Sequence, residues 1–146
     1  MSSNIEKFDL LVAKLLANLY EQFPVATGVV AADYGINAER SFRFDGTPDP
    51  DIERELDFFC NTLRWLQRAG YIDYAQETNG GTFGGVVLTA KALEILKAIP
   101  ESLRAVTPLG DYLVESARSG ATDALKQGVT AALSAGAVMA WNALIK

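Results

Sequence analysis

A chain of 146 residues, 49% of them hydrophobic, is long and apolar enough to bury a core, which excludes disorder as its default state. Its 13 basic and 18 acidic residues leave a net charge of −5, which argues against a protein whose main work is neutralising nucleic-acid phosphate. With no histidine and one cysteine, Cys60, the inventory excludes Cys/His zinc sites, Ser–His–Asp triads, Cys–His nucleophiles and internal disulfides.

The first stretch, MSSNIEKFDL, has no basic region leading into an apolar run, so no secretory leader is expected and the chain reads as cytoplasmic. Ile5, Phe8, Val12, Leu15, Leu16, Leu19 and Phe23 recur at helical spacing and predict an amphipathic helix over residues 5–22. Ser3 or Asn4 is its expected cap and Pro24 its stop. A brief helix is expected over residues 30–34, turning at Gly35, and then an irregular loop over 37–51 in which Gly46, Pro48 and Pro50 favour turns.

Asp51 is the expected N-cap of a long helix over residues 52–68. There Ile52, Leu56, Phe59, Leu63 and Leu66 share one face, and Gly70 ends the pattern. Cys60 lies on the flank of that face and reads as a small core residue. A hairpin should follow, with strands near 71–76 and 84–88 and a turn at Asn79, Gly80 and Gly81. Its glycines do not make a phosphate cradle, because they join two strands instead of leading a strand into a helix, and the nearest lysine, Lys91, comes later. Thr89 caps a further helix carrying Leu93, Leu96 and Ile99, closed by Pro100.

The segment TLRWLQRAGYI running into the hairpin, with LTAKALEIL directly after it, resembles the winged helix-turn-helix superfamily over about residues 5–100. The resemblance implies an α+β, mostly helical fold: three helices, a β-hairpin wing and a further helix. Such domains read DNA or serve as protein-interaction modules. The loop over 37–51 is longer than the tight turn of the family's helix-turn-helix. The helix over 52–68 takes the place of the family's recognition helix, and its face away from the core carries Arg54, Asp57, Asn61, Arg64 and Arg68. Of these, Arg54, Asn61, Arg64 and Arg68 are the candidate nucleic-acid contacts. The expected wing, residues 71–87, contains no lysine or arginine to meet phosphate. Phe58 and Trp65 form a second aromatic ridge beside the main apolar face, either core beneath another element or a partner surface.

Past Pro108 the chain turns rich in alanine and glycine, and one long helix is expected over residues 109–145. Gly120, Ala124, Gly128, Ala132, Gly136 and Ala140 fall every fourth residue and predict a smooth helix-packing ridge. Residues 128–145 carry no charge. Self-association, membrane docking and packing against the chain's own domain are therefore three readings of this segment. The expected division is a winged-helix-like domain over 1–104, which holds 10 basic and 15 acidic residues and hence the whole −5, and a C-terminal helical segment over 105–146.

Asp45, Asp49, Asp51, Glu53 and Glu55 crowd the loop and helix start, but their spacing fits no Ca²⁺ loop and reads as a solvated cap. No catalytic, cofactor or metal residues are assigned. The expectation is a non-enzymatic interaction module whose C-terminal helix assembles with itself, a protein partner or a membrane. The alternative is a DNA-binding regulator that uses the 52–68 helix and dimerises through the C-terminal one.

Overall fold

A serine hydroxyl starts the first helix: Ser3 Oγ accepts from the Glu6 backbone N–H at 3.2 Å, and helix α1 runs Asn4–Gln22 until Pro24. The structure, a computed structural model, describes residues 3–36, 46, 47, 49–100, 103 and 106–145. Among these residues it is mostly helical with a small antiparallel sheet. After α1 come strand β1 (Thr27–Val30), a 3₁₀ turn (Ala31–Tyr34), α2 (Pro50–Arg68), β2 (Ile72–Asp73), β3 (Gln76–Thr78), β4 (Thr82–Leu88), α3 (Ala90–Lys97), α4 (Leu109–Ser119) and α5 (Thr122–Ile145). They gather into two compact units, one of residues 1–23 with 88–146 and the other of residues 24–87. Helices α1 and α3 thus share a unit with the C-terminal helices, where the sequence reading grouped them with the rest of residues 1–104.

In the first unit α1 packs against both α4 and α5, which also pack against each other, and α3 lies on the same pair. Val12, Leu15, Leu16 and Leu19 of α1 are buried, as are Leu109 and Leu113 of α4 and Leu125, Val129 and Ala132 of α5. Ile5, expected on the apolar face, is exposed. The single C-terminal helix predicted from 109 to 145 is in fact two. Gly120 takes φ +71°, its N–H reaches the Ala117 carbonyl at 3.4 Å, and the Ala121 N–H reaches Ser116 at 3.0 Å. That pair of bonds is the Schellman stop, which needs a left-handed residue and so favours glycine. A helix broken there can fold back, and both halves then bury apolar faces against α1; an unbroken rod would bury one.

The second unit sets α2 with the four-stranded sheet. Strand order is β1-β4-β2, with β3 also paired to β4. Val29 stands opposite Phe83 and Val30 opposite Thr82, while Glu77 faces Phe83 from the other side. Phe83 is fully buried, with its ring centroid 6.1 Å from Phe59 and 5.0 Å from Tyr74. Along α2 the buried positions are Phe59, Thr62, Leu63 and Leu66, and the Thr62 hydroxyl donates to the Phe58 carbonyl at 2.7 Å, so its burial leaves no unsatisfied group.

Three local features differ from what the sequence predicts. The α2 cap is Asp49 instead of Asp51: Asp49 accepts the Asp51 N–H at 3.0 Å and Pro50 occupies the first helical position, where its missing N–H costs nothing. The strand expected over 71–76 is two short strands, β2 and β3. The strand β1 was not expected at all, because the four residues Thr27–Val30 are too few to carry a decisive period. The loop expected over 37–51 falls largely outside the described residues.

Candidate interaction surfaces

The outward face of α2 is where the sequence places donors for nucleic acid, and three of the four are engaged. Arg64 sends Nε to Glu77 Oε1 at 3.0 Å and Nη2 to Oε2 at 2.5 Å, a fork that spans from α2 to β3. Its remaining Nη1 reaches Asn61 Oδ1 at 3.2 Å, while the Asn61 amide donates to the Asp57 carbonyl at 2.8 Å. Arg54 pairs with Asp51 one turn earlier on the exposed helix start. Arg68, exposed at the end of α2, makes no ion pair among the described residues.

Beside this face an open groove of about 450 Å³ runs between α2 and the β3–β4 turn, with Glu53, Leu56, Asp57, Cys60, Arg64 and Glu77 among its walls. Three carboxylates against one guanidinium, itself consumed by Glu77, leave the groove negative, the wrong sign for phosphate. The guanidinium of Arg64 holds the Glu77 carboxyl below its ordinary range, chiefly through their hydrogen bond. Burial, then the negative charge of Glu77, pushes the thiol of half-buried Cys60 up, which favours its protonated form. Glu77 is the residue that sequence reasoning missed. The signal was an acid on a cation-free hairpin opposite a helix rich in arginine, but a pairing across 13 residues depends on register.

The turn that closes the groove is held by Gly81. It adopts φ +76°, its carbonyl accepts the Ala31 N–H at 2.9 Å, and a methyl group there would lie 2.9 Å from Ala31 Cβ and 3.0 Å from Leu56 Cδ2. Gly81 thus serves close packing of the turn on α2.

Phe58 is half-buried, and Trp65 is partly exposed with its ring stacked on Tyr71 at a centroid distance of 6.2 Å. Of the carboxylates proposed from the sequence as a solvated cap, Asp49 caps α2 and Asp51 pairs with Arg54, while Asp45 lies outside the described residues. Among the described residues no three acidic or thiol side chains converge on a point where a metal ion could sit.

On α5 the small-residue ridge divides. Gly120 lies outside the helix as the α4 stop. Gly128, Ala132 and Gly136 are buried, and a methyl group at Gly128 would fall 2.6 Å from Leu113 Cδ2 and 3.3 Å from the Tyr112 ring, so α4 already occupies that notch. Ala124 is half-buried and Ala140 exposed. From Val138 onward the large side chains emerge: Val138 is 58%, Trp141 62% and Leu144 79% exposed. Residues 127–145 carry no charge, so this end of α5 is an uncharged apolar stripe. Among the described residues no helix is long and apolar enough to cross a membrane. No family model, no curated protein and no solved structure matches this chain.

Proposed function

We propose that this chain is a non-enzymatic interaction module of winged-helix type that makes its contacts through the end of α5. The observation that carries this reading is the exposed stripe of Val138, Trp141 and Leu144 on a stretch without a single charge, since chains rarely leave contiguous apolar surface uncovered without a use for it. The winged-helix assignment is supported by element order: α1, a short 3₁₀ turn, α2, the β3–β4 hairpin and α3 follow the order of the resemblance, with β1 added to the sheet. A non-enzymatic role is supported by a histidine-free inventory and by a thiol whose surroundings favour its neutral form.

The DNA-regulator reading has less behind it. Arg64 and Asn61 would have to break hydrogen bonds to reach a base edge, and Glu53, Asp57 and Glu77 stand beside them. The test is retention on double-stranded DNA as salt is lowered. The full chain should pass unretained even at low ionic strength. Retention that disappears in the Arg64→Ala/Arg68→Ala double variant would overturn the reading in favour of a DNA-binding regulator.

A further inference from the structure

We propose that the exposed end of α5 pairs with the same segment of a second copy of the chain, the two helices antiparallel, through Val138, Trp141 and Leu144. The proposal rests on the reading of α5 as a contact surface and names its occupant. Spaced three apart, the three side chains form one oblique ridge of the kind that enters the groove between rows of side chains on another helix. Around them Ser134, Ala137 and Ala140 are exposed and small, which leaves on the same helix a shallow groove for a facing ridge to enter. Ridge and groove lie on one segment, the self-complementarity that a two-fold contact requires.

Charge selects this occupant. The charged side chains of α5, Asp123 and Lys126, stand about 18 Å or more from Val138 along the helix at 1.5 Å per residue, and the next charge in sequence is Lys146, just past the helix. A partner presenting ionised groups would bury them against the stripe without compensation, whereas a second copy brings an equally neutral surface. Overlap confined to the last turns also keeps Asp123 and Lys126 of each chain out of the contact. Antiparallel alignment about Trp141 sets the negative end of each helix roughly two turns back along the other, while parallel alignment would place the two negative ends together. A lipid surface is less well matched, because a helix lying in a headgroup layer draws affinity from several lysines and arginines along its polar face, and residues 127–145 have none, with only Lys126 and Lys146 flanking them.

The area sets the strength. The three side chains expose roughly 350 Å² per copy, less than half of the ~800 Å² per partner of a standard stable interface, so the pair is weak and responds to concentration. Sedimentation equilibrium of the full chain should show the mean mass rising from the 15.7 kDa of one copy toward two as concentration climbs from about 10 µM to about 1 mM. Trp141→Glu and, separately, Leu144→Glu should hold the mass at one copy throughout. Both sites are exposed, so each variant should keep the native thermal midpoint. A native chain that stays at one copy, or variants that self-associate as the native chain does, would overturn the pairing. A monomeric native chain that floats with phosphatidylcholine/phosphatidylglycerol vesicles while Trp141→Glu does not would overturn the second copy but keep α5 as the contact surface. A monomeric chain that ignores vesicles would overturn both.

Discussion

Gly81 shows how much of the second unit rests on one missing methyl group. Its backbone carries positive φ, its carbonyl holds the 3₁₀ turn at Ala31, and the space a Cβ would need is taken by Ala31 and Leu56. Left-handed backbone costs an ordinary residue roughly 1 kcal/mol, and the crowding adds at least as much, because Ala31 Cβ sits on backbone that must move. Gly81→Ala should therefore lower unfolding stability by about 2–3 kcal/mol, read as a shift in the denaturant midpoint at unchanged slope. Gly80→Ala is the control: the same φ sign but open space should cost about 1 kcal/mol or less. Asp9 carries the opposite lesson. Burial raises its carboxyl above the usual range, Lys126 pulls it back and Glu6 adds to the rise, so its charge is tolerated and not exploited.

Between elements, ion pairs fasten what apolar packing has already placed. Arg118 reaches Glu21 at 2.8 Å and Lys126 reaches Glu6 at 3.2 Å, tying α4 and α5 to α1 from partly exposed positions. The Arg64–Glu77 fork does the same for α2 and β3, and its exposure on the arginine side limits it to roughly 0.2–1 kcal/mol. Glu77 has a folded-state pKa below its unfolded one. Its contribution is complete above the ordinary glutamate range and is lost as pH falls through the depressed value. Thermal midpoints of the native chain and Glu77→Gln should therefore differ by a few degrees at most near neutral pH and converge in acid. A gap that persists or widens in acid would mean that the glutamine does harm by some route other than the lost charge. On α5, Gly128 serves the α4–α5 contact inside one chain, so replacing it would disturb that packing before it reported on assembly.

For the molecule as a whole, the discontinuous first unit has a direct consequence. Helix α1 buries Val12, Leu15, Leu16 and Leu19 in a unit completed by α4 and α5, which begin at Leu109. A chain ended at Pro108 would expose those side chains, each worth about 1.5–3 kcal/mol of burial, a total comparable to a domain's whole net stability. The truncated chain should show reduced helicity per residue in α1 by hydrogen exchange and should aggregate or lose its cooperative transition. A sharp native-like melt of residues 1–108 would contradict the division into units.

What the residues determined by themselves is local. The span and cap of α1, the apolar face of α2, its stop at Gly70 where the Tyr71 N–H returns to Leu66 at 2.8 Å, the hairpin turn and the Thr89 cap all follow from period, capping chemistry and glycine, which act within a few residues. Tertiary structure decided everything that depends on partners far along the chain. Strand β1 exists because Thr27 and Val29 meet Val86 and Phe83. Gly120 is a stop and not a weak point because the two halves of the expected helix each find α1. Arg64 is spent on Glu77, and the α5 ridge is buried at Gly128 yet bare at Trp141. A sequence period marks which residues share a face, but only packing determines whether that face is covered, because burial free energy comes from a surface that the local chain does not contain.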